Sequence, residues 1–301
     1  MTDLRRKRAL AFLALFFGGA AIAFSPIFVR LADVGPMQSA FWRVALAVPF
    51  LAVWAVWAVW NLRCQHAHST LGGAPSIRMS RAPVLAAGAF FAGDLVFWHL
   101  SIVYTTVANA SLLANFAPVF VALGGWLLFG QRVTRLFLVA LAISLAGAAL
   151  LMGPSFGAAG TRLTGDAFGV VTAVFYGAYM LAIWRSRGSG GTAAVMALSS
   201  AVSALLLFPL ALAWDGPVLA QSARGWLILL GLAVIPQVAG QSLIAYAMAH
   251  LPASLSALSL LVQPVFAAMY AWLMLGEGMG ALQIAGGVIV LAGIYLARRW
   301  S

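Results

Sequence analysis

The sequence predicts an all-α integral membrane fold of ten transmembrane helices, arranged as two inverted five-helix repeats. Three observations lead there. Of 301 residues, 64% are hydrophobic and only 8% charged, with a mean hydropathy of +1.02. A soluble domain carries about 25% charged residues, so this chain cannot cover a water-facing surface. Second, its apolar runs are unbroken and near the roughly 20 residues that cross a hydrocarbon core as a helix, without the alternation of a membrane barrel. Third, one apolar segment is written twice: residues 117–131 read APVFVALGGWLLFGQ and residues 263–277 read QPVFAAMYAWLMLGE.

Breaks of charge, Gly and Pro place helices near 9–31, 36–60, 83–104, 107–129, 134–152, 165–184, 193–214, 224–248, 254–275 and 279–297. The first follows Arg5, Arg6, Lys7 and Arg8. Its apolar stretch exceeds the roughly 7–15 residues of a signal-peptide core, so it is expected to stay as a span. The second opens at Pro36 and ends in a belt of Trp54, Trp57 and Trp60. A polar loop follows, holding Cys64, His66 and His68 with Gly72, Gly73 and Pro75. That trio lacks a second ligand pair, so no metal site is expected. Gly130-Gln131-Arg132 separates the fourth helix from the fifth, and Gly276-Glu277-Gly278 the ninth from the tenth. Pro154 and its glycines close the first half; Gly188 to Gly191, Asp215-Gly216-Pro217 and Pro252 divide the second.

Thirteen of the seventeen basic residues fall on one side if the N-terminus is cytoplasmic, so the positive-inside rule places both termini there. The net charge of +11 therefore reads as loop charge that fixes topology, with no nucleic-acid partner expected. One cysteine excludes an intrachain disulfide.

The repeat extends beyond the quoted segments. At a constant offset Pro118, Phe120, Trp126 and Gly130 fall on Pro264, Phe266, Trp272 and Gly276, and later Ile143 and Gly147 on Ile289 and Gly293. The copies lie in the fourth and ninth helices, an odd number of spans apart, so they run in opposite directions. Residues 1–152 and 153–301 are thus expected as two inverted units, the architecture of secondary transporters with a site at mid-membrane.

The repeated P-V-F-x-x-x-x-x-W-L-x-x-G-[QE] segment, with Ser25-Pro26-Ile27-Phe28, Pro36 and Phe41-Trp42-Arg43, resembles the drug/metabolite transporter superfamily, specifically its EamA-type exporters. Gly276-Glu277 matches the family's Gly-Glu, whereas Gln131 replaces the acid in the first copy. The resemblance covers essentially the whole chain. It implies a multi-pass protein of the bacterial inner membrane, with a central cavity lined by helices one, three, four, six, eight and nine. Because relatives include exporters of aromatic amino acids, it also implies export of small neutral or aromatic amino acids and related metabolites. A multidrug, lipid or other metabolite transporter of the same fold is the alternative. The expected partners are a small-molecule substrate, protons if transport is coupled, and the lipid bilayer; nothing bears on oligomeric state.

Ionisable groups inside apolar spans are costly and default to functional candidates. Asp94 stands near the centre of the third helix with no basic residue in that span. It is read as a proton-coupling carboxylate or a partner for a substrate ammonium, against a structural hydrogen bond. Trp98 shares its face one turn on, either covering a substrate or packing. His99 points about 140° away and is expected to be structural rather than a proton relay. Further polar stripes are Gln237 and Gln241 beside Pro236, Ser256, Ser259 and Gln263 on the ninth helix, and Ser111 and Asn115 on the fourth. Tyr176 and Tyr179 join them from the sixth. Singly each reads as interhelical bonding worth about 0.6–2 kcal/mol; together they are expected to face the cavity. Arg43, roughly 10 Å inside the second helix, either holds Asp33 or a carbonyl as an outer gate or captures a carboxylate, the structural role being favoured. Pro118 and Pro264 are candidate hinges or plain kinks. No cofactor is expected, since no phosphate-cradling loop appears. No serine has a histidine placed beside it as a base, so an enzyme is not expected either.

Overall fold

The computed structural model describes residues 2–67, 80–105, 107–152, 163–186, 191–275 and 280–299. Expectations for Arg78, Arg162, Arg187, Glu277, His68, Gly72, Gly73 and Pro75 lie outside the described residues. Cys64 and His66, expected in the polar loop, instead lie in the last turns of the helix Ala47–Ala67, because the second span winds on past its tryptophan belt. Every regular element described is helical. Ten stretches are long and apolar enough to span a membrane: Arg5–Leu31, Pro36–Cys64, Arg81–Tyr104, Asn109–Phe129, Arg135–Met152, Leu163–Arg185, Thr192–Ala213, Ala223–Met248, Ala253–Met274 and Ala281–Arg299. They follow the expected order with ends displaced by a few residues. Because their number is even, both chain ends lie at one face, called here the terminal face.

Large apolar side chains point outward. Val53, Leu128 and Leu205 are 71%, 72% and 73% exposed, a distribution that only lipid tolerates. Between helices the bilayer supplies no hydrophobic drive, so small residues that permit close backbone approach take the interior. Ala11, Ala40, Ala87, Ala140, Ala173, Ala247 and Ala257 are all buried. The third span lies along the sixth as the eighth lies along the first, and the fourth meets the sixth as the ninth meets the first. The second packs on the seventh, and the fifth on the tenth.

The second span is interrupted only at Leu46, between Pro36–Ala45 and Ala47–Ala67. Four others are irregular near the centre of the bundle and carry part of its polar residues. The first stops at Ile22 and resumes as Ser25–Leu31, with Pro26 in the new first turn. The fourth breaks at Asn115-Phe116, between Val107–Ala114 and Ala117–Phe129. The ninth breaks at Leu260-Leu261, between Ala253–Ser259 and Val262–Leu275. Pro118 and Pro264 each stand in the first turn after the break, where a missing N–H costs least. The eighth is continuous, but from Ala233 to Gln241 it winds as a π-helix around Pro236. Proline cannot donate to the preceding turn, and the wider winding absorbs that loss.

The fifth and tenth spans cross at their glycines. A Cβ on Gly147 would meet Val290 N at 2.7 Å and Gly286 O at 2.8 Å, and one on Gly286 would strike the Leu151 backbone. Neither neighbour is a side chain that can swing aside. Gly286→Leu is therefore expected to lower stability by about 1–3 kcal/mol, read as earlier unfolding in a detergent melt. An exposed control, Val288→Leu on the same helix, should leave the melt unchanged.

Candidate functional site

The breaks converge on one cavity of about 120 Å³ at mid-bundle. It reaches from Gln241 and Ala257 toward the face opposite the termini, where Pro26, Ser111, Met152 and Ala267 line it. Directly beneath the cavity, on its terminal-face side, Ala11, Leu15, Val121, Ile183, Met248, Leu251 and Ala253 are buried in one cluster and close it off. The expected six helices all contribute. Two more residues come from elsewhere, Arg43 of the second span and Met152 of the fifth.

Each broken helix presents its irregular turn to this space. Ala114, Asn115, Ala117 and Pro118 line it from the fourth span, and Leu260, Leu261, Gln263 and Pro264 from the ninth. Asn115 Nδ2 donates to Ser111 O at 2.8 Å, so its amide closes the frayed end of its own half-helix. Pro264 cannot donate to Leu260 O, and Gln263 N takes that carbonyl instead at 2.9 Å.

Arg43 and Asp94 are the cavity's two charged lining residues, 4% and 8% exposed. Arg43 Nε donates to Gln237 Oε1 at 3.2 Å, and Gln237 Nε2 donates in turn to Ser200 Oγ at 3.3 Å. Its guanidinium also stands 5.6 Å from the Phe91 ring centroid. The Asp94 carboxylate forms neither a hydrogen bond nor a contact ion pair among the described residues. The two groups attract each other across the cavity without touching. Arg43 does not turn to Asp33, which instead accepts from Ser222 Oγ at 2.8 Å at the start of the eighth span.

Of the residues singled out in the sequence, Asp94, Trp98, Ser111, Asn115, Tyr176, Gln241, Gln263, Arg43, Pro118 and Pro264 line the cavity. His99 lies outside it: its Nδ1 donates to Leu95 O at 2.7 Å and its Nε2 faces Ser39 Oγ at 3.2 Å. Gln237 stands behind Arg43, and Tyr179 donates to Gln241 Oε1 at 3.2 Å. Ser256 and Ser259 donate into their own helix, to Pro252 O at 3.0 Å and Leu255 O at 2.8 Å. Ser25 and Thr172 line the cavity without having been singled out; the signal for Ser25 was the Ser-Pro pair that breaks the first span.

Three buried polar atoms on the lining residues have no hydrogen-bond partner: Ser25 Oγ, Tyr176 OH and Gln263 Nε2. The Tyr176 hydroxyl sits beside the Gln241 and Gln263 amides without a well-formed bond to either. Unused polar groups in a buried space are the ordinary preparation for a ligand that supplies the missing bonds.

Ten apolar spans around a part-polar cavity, sealed toward one face, define a membrane transporter. Comparison with known proteins agrees and is more specific. The sequence pattern of the EamA-like transporter family matches residues 8–153 and again 163–299, and the chain belongs to that family. It is 31% identical over 217 residues to the "Pseudopaline exporter CntI" of Pseudomonas aeruginosa, covering 71% of this chain and 74% of that protein. It is 30% identical over 200 residues to a "Probable terminal-alkyne amino-acid exporter" of Streptantibioticus cattleyicolor, covering 65% and 66%. An "Uncharacterized transporter" of Archaeoglobus fulgidus is 27% identical across 95% of both chains. One solved crystal structure superposes with a TM-score of 0.76 over 97% of this chain and 98% of its own, at 17% identity, which shows the shared fold.

Gln237 accepts the one hydrogen bond that the buried Arg43 guanidinium makes among the described residues. Gln237→Leu leaves that donor unmatched and should destabilise the protein by about 1–3 kcal/mol, seen as a lower melting temperature. Ser256→Ala removes only a bond within one helix and should shift the same melt far less.

Proposed function

We propose that this protein is a secondary transporter of the bacterial inner membrane that exports small neutral or aromatic amino acids and related metabolites by alternating access. The observation that carries the reading is the mid-bundle cavity, closed toward the terminal face and lined by a buried cation, a buried anion and unpartnered polar atoms. The names of two relatives, one exporting pseudopaline and one probably an amino acid, support the direction of transport.

In the proposed cycle residues 1–152 and 153–301 act as two inverted units that rock about the cavity. The family pattern matching each half, and breaks in the fourth and ninth spans at corresponding places in the repeat, support that division. Pro118 and Pro264 stand at those breaks and serve as the hinges. With both termini in the cytoplasm, the cavity turns toward the outside. Asp94 is the group that would carry a coupled proton.

An apolar pocket of about 670 Å³ between the second, seventh and eighth spans, lined by Trp54, Ala58, Val59, Ala194, Leu243 and Tyr246 among others, favours a second reading as a carrier of amphiphilic drugs or lipids. Counterflow separates the two. Proteoliposomes preloaded with neutral amino acids should transiently accumulate labelled Phe, Thr or Ala. A channel gives no such overshoot. Absence of overshoot with every amino acid, alongside uptake of a labelled hydrophobic cation, would establish the second reading instead. Orientation is checked separately: a fluorescent protein fused after Ser301 should fluoresce in cells, and a phosphatase fused there should stay inactive.

A further inference from the structure

Asp94 and Arg43 are oddly placed for structural groups. Charges taken out of water are ordinarily tolerated because they meet a counter-charge and fill their hydrogen-bonding capacity. Here a carboxylate and a guanidinium line one small cavity, yet neither meets the other in a contact ion pair. Among the described residues Arg43 is bonded through Nε, to Gln237, and its two terminal nitrogens take no partner. Asp94 accepts no hydrogen bond from any described residue. Gln263 Nε2, a pure donor on the wall of the same cavity, is buried without a well-formed hydrogen bond.

What such a cavity lacks is a molecule that presents a negative and a positive end at once. A lone anion would satisfy Arg43 and leave Asp94 unmatched, and a lone cation would do the reverse. We propose that the cavity reads its substrate as a zwitterion, with the carboxylate on the free edge of the Arg43 guanidinium and the ammonium on Asp94. The inference rests on the amino-acid reading above and specifies which groups of the substrate that site requires.

The chemistry fits each end. A guanidinium fork accepts a carboxylate through two parallel hydrogen bonds, and the Gln263 amide adds a donor suited to a carboxylate oxygen. An ammonium has three donors and no acceptor, matching a carboxylate with all its lone pairs free. Trp98 lines the cavity one turn from Asp94, and an indole beside a cation adds a further attraction. The substrate side chain then faces the apolar wall of Met180, Leu260 and Leu261.

A charge consequence follows. A zwitterion carries no net charge, so the loaded cavity has the same total charge as the empty one. Movement of the loaded carrier across the bilayer then does no electrical work against the membrane potential through its cargo.

The first test uses wild-type protein in proteoliposomes. Labelled phenylalanine counterflow is measured against competing phenylalanine, phenylalanine methyl ester and N-acetylphenylalanine. Removing either charge should weaken competition by about ten- to hundredfold, the effect of one lost charged hydrogen-bonding set. Two variants then assign the ends. Arg43→Gln should weaken phenylalanine while narrowing its advantage over the methyl ester, and Asp94→Asn should narrow its advantage over the N-acetyl compound. Equal competition by the ester, the N-acetyl compound and the parent would overturn the proposal while leaving amino-acid transport intact. Absence of counterflow with every amino acid, from protein with an unaltered melt, would overturn the amino-acid reading and this inference with it.

Discussion

Keeping a guanidinium and a carboxylate inside a bilayer, within one cavity but out of contact, is the constraint on which the rest of this structure turns. A charge buried without compensation costs several kcal/mol, so everything around the pair serves to hold it apart and partly satisfied. Gln237 and Phe91 hold Arg43 from behind, and Ser200 holds Gln237. Tyr179 lies tilted against Phe91, with ring centroids 4.7 Å apart, and donates to Gln241. The chain of contacts runs through the second, third, sixth, seventh and eighth spans, so the bundle's packing and its polar interior are one network.

That network depends on helices that are not ideal. A regular helix uses all its backbone groups internally and offers a cavity only side chains. Breaks at Asn115-Phe116 and Leu260-Leu261, and the π-turns around Pro236, bring amides and small residues to the centre. The wider winding carries Gln237 to Arg43 and Gln241 to the cavity wall. Small residues elsewhere leave room for this. Gly18 and Gly240 let the first and eighth spans approach until a Cβ on Gly18 would sit 3.0 Å from Gly240 O.

Much of the fold was legible because lipid imposes it. Charge-poor runs, basic loops and Gly/Pro punctuation located all ten spans. Pro118 and Pro264 marked the two breaks because proline has no other use at the start of a half-helix. The cavity was legible only in part. Periodicity puts Ser256, Ser259 and Gln263 on one stripe, but hydroxyls can turn back to the carbonyl four residues earlier, as both serines do, whereas the longer Gln263 cannot. Arg43 read as a gate because Asp33 is near in sequence, yet its partner Gln237 comes from the other half of the chain. No spacing rule supplies such a contact. Pro236 signalled an irregularity without saying that the winding would widen, and the register of Gln237 and Gln241 depends on that widening.

The most direct test of the account is access to the cavity from the two sides of the membrane. Ser111→Cys in a Cys64→Ser background places one thiol on the cavity wall. Its alkylation by a membrane-impermeant reagent is measured from each side, with and without phenylalanine. The account predicts labelling from the outside in the resting protein, slowed when phenylalanine fills the site, and a rise in labelling from the cytoplasm as transport turns over. Equal labelling from both sides at once, indifferent to phenylalanine, would contradict it and describe a pore.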